Sequence, residues 1–271
     1  MTQTRDPHTV HTGLPGVLWL PAVAALGLIS LPVIGLVVRA PWSRFVELIT
    51  SEAAVAALTL SLYTATWSTA LCVLIGGPLA VVLARGSVPG LRLLRSVVLL
   101  PLVLPPVVGG LALLYLLSPG GFGGRVLDVA FGVQRVSFTT PAVILAQTFV
   151  AMPFLVVSLE GALRTGGERY ESIAATLGAT PWTVFRRITV PLVLPGLGSG
   201  AVLSFARCLG EFGATIAFAG SLQGVTRTLP LEVYLQQETD VDGAIALSLL
   251  LVVVAIVVII VARPRSLEGV R

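Results

Sequence analysis

The sequence contains no lysine, since all 17 of its basic residues are arginines. A P-loop ATPase needs the lysine of its G-x-x-x-x-G-K-[ST] motif to contact the nucleotide phosphates. The sequence therefore predicts that this chain does not hydrolyse ATP and is not an enzyme of that kind. Any ATP-driven work would have to be done by a partner subunit.

Histidine and cysteine are also scarce. The two histidines, His8 and His11, lie in a polar N-terminal stretch, and the two cysteines, Cys72 and Cys208, lie inside apolar runs. A lone thiol among apolar residues behaves as a small apolar side chain, and zinc sites need several His, Cys or carboxylate ligands together. We expect no disulfide, no metal site and no cofactor on this chain, and intramembrane metalloprotease chemistry is excluded.

Charged residues are few: they make up 11% of the sequence, whereas 55% of it is hydrophobic. Soluble domains are about 25% charged, and a membrane-spanning helix needs about 20 mainly apolar residues. The sequence predicts an all-α polytopic membrane protein with about six transmembrane helices. The predicted spans are 17–38, 55–84, 96–117, 139–163, 192–219 and 243–262.

These spans divide the chain into an N-terminal tail over residues 1–16, a membrane domain over 17–262 and a C-terminal tail over 263–271. The first apolar run lacks the small-residue cleavage pattern of a removed signal peptide. We therefore expect the first span to remain in the mature protein.

The arginines are unevenly distributed about the six spans. One side would carry Arg5, Arg85, Arg92, Arg95, Arg164, Arg169, Arg186, Arg187, Arg263, Arg265 and Arg271. The other side would carry only Arg39, Arg44, Arg125, Arg135 and Arg227, while Arg207 falls within the fifth span. Because basic residues concentrate on the cytoplasmic side of a membrane, both termini are predicted to be cytoplasmic.

The longest predicted cytoplasmic loop covers residues 164–191. Gly178 follows a stretch with helical propensity and suits a helix C-terminus, because glycine adopts positive φ without steric cost. Thr180 and Pro181 are typical of an N-cap and a first helical residue. We expect a helix, a tight turn and a second helix at the cytoplasmic surface.

The second of these helices would present an apolar face. Its apolar residues are Trp182, Val184, Phe185 and Ile188. Such a face at a wet surface is typical of a helix that docks into a groove of another protein. Packing against the chain's own spans is the alternative.

The same loop resembles that of the permeases of ATP-binding-cassette importers, which carries E-A-A-x-x-x-G, nine variable residues and I-x-L-P. The matching positions are Ala174, Gly178, Ile188 and Pro191. Three positions depart from the pattern, with Ser172 for glutamate, Ile173 for alanine and Val190 for leucine. Glu171 precedes the glutamate position by one residue.

This resemblance implies a type I importer permease whose coupling helix, between spans four and five, contacts a separate ATPase. Two ATPase subunits would bind ATP and magnesium. The residues expected to couple to them are Glu171, Ser172, Ala174, Ala175, Gly178, Ala179, Thr180, Pro181, Phe185, Ile188 and Pro191. Six spans make a pathway most simply with a second copy of the permease, in two-fold symmetry.

Two further stretches, LLPLVLPPVVGG at 99–110 and ARCLGEFGATIAFAGSLQGVTRTLPLEVY at 206–234, resemble the molybdate branch of the sulfate and molybdate permeases. This implies import of an oxyanion delivered by an external binding protein across a bacterial cell membrane. Molybdate is the expected cargo, with sulfate and tungstate as alternatives. The acidic outer segment 220–242 is either a docking surface for that protein or a solvated face.

The third span contains five residues that are predicted to interrupt its helix: Pro101, Pro105, Pro106, Gly109 and Gly110. Irregular backbone in a membrane is tolerated where it contacts protein or lines a water-filled path. We therefore place this span beside the pathway, although a kinked packing helix would also fit.

Arg207 and Glu211 lie four residues apart in the fifth span and share one helical face. Because charges inside a membrane are costly, the pair must face protein or water. It either fixes helix packing or lies near the gate. Nearby, Gly213 allows close helix approach, and Thr215 offers a hydroxyl to a tetrahedral anion.

Other classes of protein remain as alternatives. A proton-coupled secondary transporter would use Glu211 as its carrier carboxylate, but would need no cytoplasmic docking loop. An intramembrane enzyme is disfavoured because the spans lack histidine, lysine and paired carboxylates. A structural scaffold would leave the spacing of the loop motif unexplained, and no feature predicts binding of nucleic acid.

Overall fold

The computed structural model describes residues 15–86, 89–166 and 168–261, and these residues form helices and turns without a strand. The helices are α1 (Trp19–Arg39), α2 (Phe45–Ile49), α3 (Glu52–Leu71), α4 (Gly77–Arg85), α5 (Leu91–Val103), α6 (Pro106–Leu117), α7 (Phe122–Phe131), α8 (Thr140–Gly166), α9 (Glu168–Thr176), α10 (Pro181–Val184), α11 (Val190–Leu209), α12 (Gly213–Ala219), α13 (Leu229–Thr239) and α14 (Val241–Val261). The all-α prediction is confirmed. Most of both predicted tails, with His8 and His11, lies outside the described residues.

Two π-helical turns join helices into longer ones. Cys72–Gly76 continues α3 into α4, and Phe185–Thr189 continues α10 into α11. Five continuous helices are consequently long and apolar enough to cross a membrane. They are Gly16–Arg39, Glu52–Arg85, Thr140–Thr165, Pro181–Leu209 and Val241–Val261.

The predicted third span is two helices, α5 and α6, which meet at an angle of 113°. Leu104 and Pro105 have extended ψ values of 134° and 132°, and Pro106 begins the next helix. Proline lacks the amide hydrogen that would continue a helix and disfavours helical backbone in the residue before it. The predicted interruption is confirmed at Pro105 and Pro106, and the pair is a broken span or a re-entrant loop. The prediction is wrong at the other three positions, because Pro101 lies inside α5 and Gly109 and Gly110 lie inside α6.

The fifth predicted span, 192–219, is also divided. Helix α11 ends at Leu209, and the separate helix α12 begins at Gly213. The backbone of Phe212 leaves the helical region, with φ −127° and ψ −54°. The predicted span is therefore a long helix and a short one, separated by residues 210–212.

The described residues form two units, one up to Ala40 and one from Pro41 onward. The first contains α1, in which no residue is buried. In the second, α8 is the central helix and packs against α3, α4, α5, α6, α11 and α12.

Small and polar residues hold the second unit together around α8. A Cβ on Gly200 of α11 would lie 3.3 Å from the Leu155 carbonyl oxygen of α8, so the two backbones are close. The Ser68 hydroxyl of α3 donates to the Ile144 carbonyl at 3.0 Å, and the Ser204 hydroxyl of α11 donates to the Ala151 carbonyl at 3.2 Å. Both kinds of contact are typical of helix association in lipid.

Candidate coupling site and translocation pathway

A tight turn follows α9 at the predicted position. Gly178 has φ +84°, a left-handed conformation that side chains rarely adopt. Its amide donates to the Ala175 carbonyl, and the Ala179 amide donates to the Ala174 carbonyl, both at 3.0 Å. These two bonds form a Schellman cap, which satisfies carbonyls left free at the helix end.

The next helix begins as predicted at Thr180 and Pro181. The Thr180 hydroxyl accepts the Thr183 amide at 3.3 Å, and Pro181 is the first helical residue. The helix does not end within the predicted loop, however, because it runs unbroken through Phe185–Thr189 into α11. The segment predicted as a loop over 164–191 is thus mostly helix, and its second helix is the first part of the fifth span.

Glu171 is bound within its own chain. Its Oε2 lies 2.9 Å from the Arg85 Nε, and its Oε1 accepts the Thr189 hydroxyl at 2.8 Å and the Arg85 Nη2 at 3.3 Å. Arg85 Nη2 also donates to the Leu163 carbonyl at 2.7 Å. This network, the Arg85–Glu171–Thr189 link, joins α9 to the ends of α4 and α8 and to the π-helical turn that begins the fifth span.

The sequence-predicted coupling residues converge around the turn. A groove of about 460 Å³ is lined by Glu171, Ser172, Ala175, Ala179, Pro181 and Phe185, together with Val81, Arg85, Val184 and Thr189. A second groove of about 450 Å³ is lined by Ala174, Ile188 and Pro191, together with Tyr170, Ile173, Leu177, Arg187 and Leu192. Gly178 and Thr180 form the turn between the helices that line both grooves.

Large apolar side chains are exposed on both sides of the turn. Leu177 is 83% exposed and Trp182 is 68% exposed, and Tyr170 and Ile173 are also exposed. The Trp182 ring stacks on Phe185 with 5.7 Å between ring centroids. We call Tyr170, Ile173, Leu177 and Trp182 the coupling surface. Sequence reasoning found Trp182 from its place in the helix but did not single out the other three.

The residues predicted to line the pathway, in the third and fifth spans, meet where α6 contacts α12. A Cβ on Gly213 would lie 3.0 Å from the Pro106 Cβ, and one on Gly110 would lie 2.5 Å from the Ala214 carbonyl oxygen. A Cβ on Gly109 would lie 2.8 Å from the Phe149 ring of α8. Glycines at these positions let the two short helices pack closely on each other and on α8, while Pro105 is exposed at the break.

The predicted pair of Arg207 and Glu211 forms an ion pair, with 2.6 Å between Arg207 Nη2 and Glu211 Oε2. Glu211 is only 1% exposed, and its Oε1 accepts the Ala214 amide at 2.8 Å. One carboxylate therefore bridges the break between α11 and α12. Thr215, in the next turn, is buried, and among the described residues its hydroxyl has no hydrogen-bond partner.

The acidic residues of the segment 220–242, which is predicted to be on the outer side, have different surroundings. Glu232 is buried, and its carboxylate accepts hydrogen bonds from Arg227 Nη1 at 3.3 Å and from Gln236 Nε2 at 2.9 Å. Asp240 accepts the Asp242 and Gly243 amides at the start of α14. Glu232 is therefore unavailable as a docking or solvated residue, whereas Glu238 and Asp242 are exposed.

Within the described part of the chain, no group of three or more His, Cys, Asp or Glu side chains could hold a metal ion. Cys72 and Cys208 are both buried with free thiols. Their Sγ atoms lie 3.7 Å and 3.8 Å from the carbonyl oxygens of Thr148 and Gln147. Both cysteines thus belong to the interior around α8.

Residues 73–263 match the family model of the binding-protein-dependent transport system inner membrane component. The molybdenum transport system permease protein ModB of Mycobacterium tuberculosis is 58% identical over 238 residues, which cover 88% of this chain and 89% of that protein. The sulfate transport system permease protein CysT of Escherichia coli is 36% identical, with 76% of this chain and 74% of that protein covered.

Two solved structures share the fold. A chain of a bacterial alginate ABC transporter, in complex with a periplasmic protein bound to an alginate pentasaccharide, aligns with a TM-score of 0.72 and 21% identity. That alignment covers 93% of this chain and 94% of the other. A chain of the inward-facing MetNI methionine ABC transporter aligns with a TM-score of 0.61 and 19% identity, over 79% of this chain and 96% of the other.

Proposed function

This chain belongs to the family of binding-protein-dependent transport system inner membrane components, and on that premise we propose that it is the permease subunit of an ATP-driven molybdate importer. It is a multi-pass inner membrane protein. The observation that carries the choice of cargo is the 58% identity to a molybdenum permease over 88% of this chain. The sulfate permease is more distant, at 36% identity, so sulfate and tungstate are the alternative cargoes.

The proposed assembly contains this chain, a second permease copy, two ATPase subunits and an external molybdate-binding protein. ATP and magnesium belong to the ATPase, since this chain has no lysine and hence no P-loop. The coupling surface supports the proposal of a protein partner, because exposed Leu177 and Trp182 flank two grooves that could hold apolar side chains of that partner. One groove is lined by Ala174, Ile188 and Pro191, and the other by Ala175 and Pro181.

The arginine contacts support a cytoplasmic position for the coupling turn and, with it, for both termini. Arg85 at the end of α4, Arg95 at the start of α5 and Arg164 near the end of α8 all bind at the end of the bundle that holds the turn. Exposed Arg186 and Arg187 lie in the helix that follows it. Basic residues concentrate at the cytoplasmic ends of membrane helices.

The Arg85–Glu171–Thr189 link provides a route by which movement of the ATPase reaches the spans. Glu171 lies on α9 beside the exposed coupling surface, and its carboxylate is held by α4 and by the start of the fifth span. Hydrogen bonds between charged groups are shorter and stronger than neutral ones. A displacement of α9 is therefore passed to two spans, which is what alternation between inward-open and outward-open states requires.

Arg207 and Glu211 are proposed to act at the gate. Their ion pair bridges the break between α11 and α12, and α12 packs on α6, which follows the sharp bend at Pro105. At such breaks, the short helices α6 and α12 can change orientation while the long helix α11 stays intact. The Glu211 carboxylate is buried in an ion pair with Arg207, and its Oε1 accepts the Ala214 amide. This arrangement disfavours the alternative of a carrier carboxylate in a proton-coupled transporter.

The test is reconstitution of this chain with its ATPase and binding protein in liposomes. We expect molybdate uptake that requires ATP and resists excess sulfate, and the matched control is the same complex with an ATPase whose P-loop lysine is replaced. Inhibition by sulfate would assign the protein to sulfate, and stronger inhibition by tungstate than by unlabelled molybdate would assign it to tungstate. Uptake without ATP would overturn the importer assignment.

A further inference from the structure

A further charged cluster is formed by residues that belong neither to the coupling surface nor to the Arg207–Glu211 pair. Arg95 of α5 donates from Nε at 3.1 Å and from Nη2 at 2.7 Å to Oε1 of Glu160 on α8. Arg164 lies one turn further along α8. Its Nε donates to the same Glu160 oxygen at 3.1 Å, and its Nη2 lies 3.0 Å from that oxygen. The Arg95 Nη2 also reaches the Leu83 carbonyl at 3.2 Å.

This cluster has more positive charge and more donors than Glu160 can satisfy. Two guanidinium groups share one carboxylate, which leaves one net positive charge. Each guanidinium has five N–H donors, and within the described ranges neither Nη1 group makes a hydrogen bond. Arg164 is 52% exposed and Arg95 is 34% exposed, while Glu160 is 10% exposed. The open side of the cluster therefore presents arginine and not glutamate.

An apolar groove begins at these arginines. It has a volume of about 440 Å³ and runs between α5 and α8. Its walls are Leu83, Val98, Leu99, Val156, Val157 and Gly161, with Arg95, Glu160 and Arg164 at its polar end. A small inorganic anion would contact only the arginines, so the hydrocarbon walls fit a ligand that has an anionic head and an apolar chain.

The position of the groove supports a lipid as that ligand. It lies where α5 begins and α8 approaches its end, at the same end of the bundle as the coupling turn. Anionic lipids are enriched in the cytoplasmic leaflet, and basic pockets between membrane helices on that side bind phosphate headgroups.

We propose that this groove binds one anionic phospholipid of the cytoplasmic leaflet, with its phosphate on Arg95 and Arg164 and an acyl chain along Val98, Val156 and Val157. Bound lipid would stabilise the packing of α5, the first half of the broken third span, on α8. The site does not depend on which oxyanion the protein carries.

The experiment is native mass spectrometry of the purified, delipidated complex titrated with phosphatidylglycerol or with phosphatidylcholine. We expect phosphatidylglycerol to bind at one site per permease copy and to bind at least about tenfold more tightly than phosphatidylcholine. Phosphatidylcholine also carries a phosphate, but its quaternary ammonium cancels the net charge of the headgroup and is repelled by the two arginines. Equal binding of the two lipids would overturn the proposal.

Two variants separate the headgroup from the chain. Arg164→Gln should weaken phosphatidylglycerol binding about tenfold. Gly161→Leu should fill the groove and also weaken it, because a Cβ at Gly161 meets open space and the helix tolerates leucine. Arg92→Gln, at an exposed arginine one turn earlier on α5, is the control and should bind lipid normally.

Small anions provide the last arm of the test. Inorganic phosphate or molybdate should not displace the bound lipid. If either anion occupies the site in wild type and Gly161→Leu alike, the cluster is a small-anion site and the lipid proposal fails.

Discussion

Arg85 and Glu171 form an ion pair with 2.9 Å between Nε and Oε2, although 86 positions separate them in the sequence. The pair fixes the helix before the coupling turn to the end of the second span. Both side chains are mostly buried, at 20% and 17% exposure. Glu171 therefore faces its own chain, and we infer that it transmits movement within the permease and does not itself contact the ATPase.

Neutralising Glu171 should uncouple ATP hydrolysis from transport. In Glu171→Gln the amide keeps an acceptor for Thr189 but loses the ion pair to Arg85, a loss of about 1–3 kcal/mol. We expect molybdate uptake to fall about tenfold while the ATPase rate of the complex is kept. Glu238→Gln, at an exposed outer residue, is the control. A double-mutant cycle with Arg85→Gln completes the test. If the losses of uptake in the two single variants add up to the loss in the double variant, the Arg85–Glu171–Thr189 link carries no coupling.

Truncation of Trp182 should weaken assembly without unfolding the permease. The side chain is 68% exposed, so its removal costs the isolated chain little. Tryptophan anchors at protein interfaces commonly contribute about 2 kcal/mol or more. Trp182→Ala should thus lower ATPase affinity by about thirtyfold in a binding measurement, whereas Tyr115→Ala, at an exposed residue of α6, should not. Unchanged ATPase affinity would remove Trp182 from the coupling surface.

Gly178→Ala tests the turn itself. At φ +84° an alanine is strained by about 1–2 kcal/mol, because its Cβ approaches the following carbonyl oxygen. We expect reduced ATP-dependent uptake and faster amide hydrogen exchange in α9. The comparison is Gly198→Ala in α11, where the backbone is helical and a Cβ meets open space, and stability should be unchanged or slightly raised. Equal exchange rates in both variants would contradict the role of the turn.

The Arg207–Glu211 pair should respond unequally to its two single substitutions. Arg207→Gln leaves a buried carboxylate without its cation, which costs about 3–5 kcal/mol. Glu211→Gln retains an acceptor for the Ala214 amide, and the only charge left without its partner is the partly exposed Arg207. The melting temperature of Glu211→Gln should therefore fall less than that of Arg207→Gln. If the pair gates the pathway, both variants should change the number of ATP molecules used per molybdate at a temperature where both are folded. Normal uptake and coupling in both would end the gate proposal.

A methyl group at Gly110 should separate α6 from α12. The new Cβ would lie 2.5 Å from the Ala214 carbonyl oxygen and 2.8 Å from the Ala217 Cβ, so backbone must shift at a cost of about 1–3 kcal/mol. We expect Gly110→Ala to lower the melting temperature and slow uptake. Gly77→Ala, also at a buried glycine but with open space at the Cβ position, should leave both nearly unchanged. A normal melting temperature for Gly110→Ala would mean that the two helices are loosely packed.

Local features of the structure followed directly from the sequence. The apolar runs predicted the spans, the Gly178 and Thr180-Pro181 positions predicted the turn, and Pro105-Pro106 predicted the interruption of the third span. The four-residue spacing predicted that Arg207 and Glu211 would pair, although Glu211 lies just beyond the end of α11 and not on its face as predicted. Each of these depends on residues within a few positions of one another, whose geometry is set by backbone sterics and helix period.

Only the tertiary structure decided which distant residues meet. The sequence alone could not assign Arg85 to Glu171, Arg95 to Glu160 or Ser61 to the Leu229 amide, because many arginines and acids are equally available along the chain. It likewise left open the 113° angle at the broken span and the burial of Glu232. Composition and period fix which segments enter the membrane, since that is a transfer of each segment from water to lipid. How those segments pack depends on shape and polar partners from many parts of the chain at once.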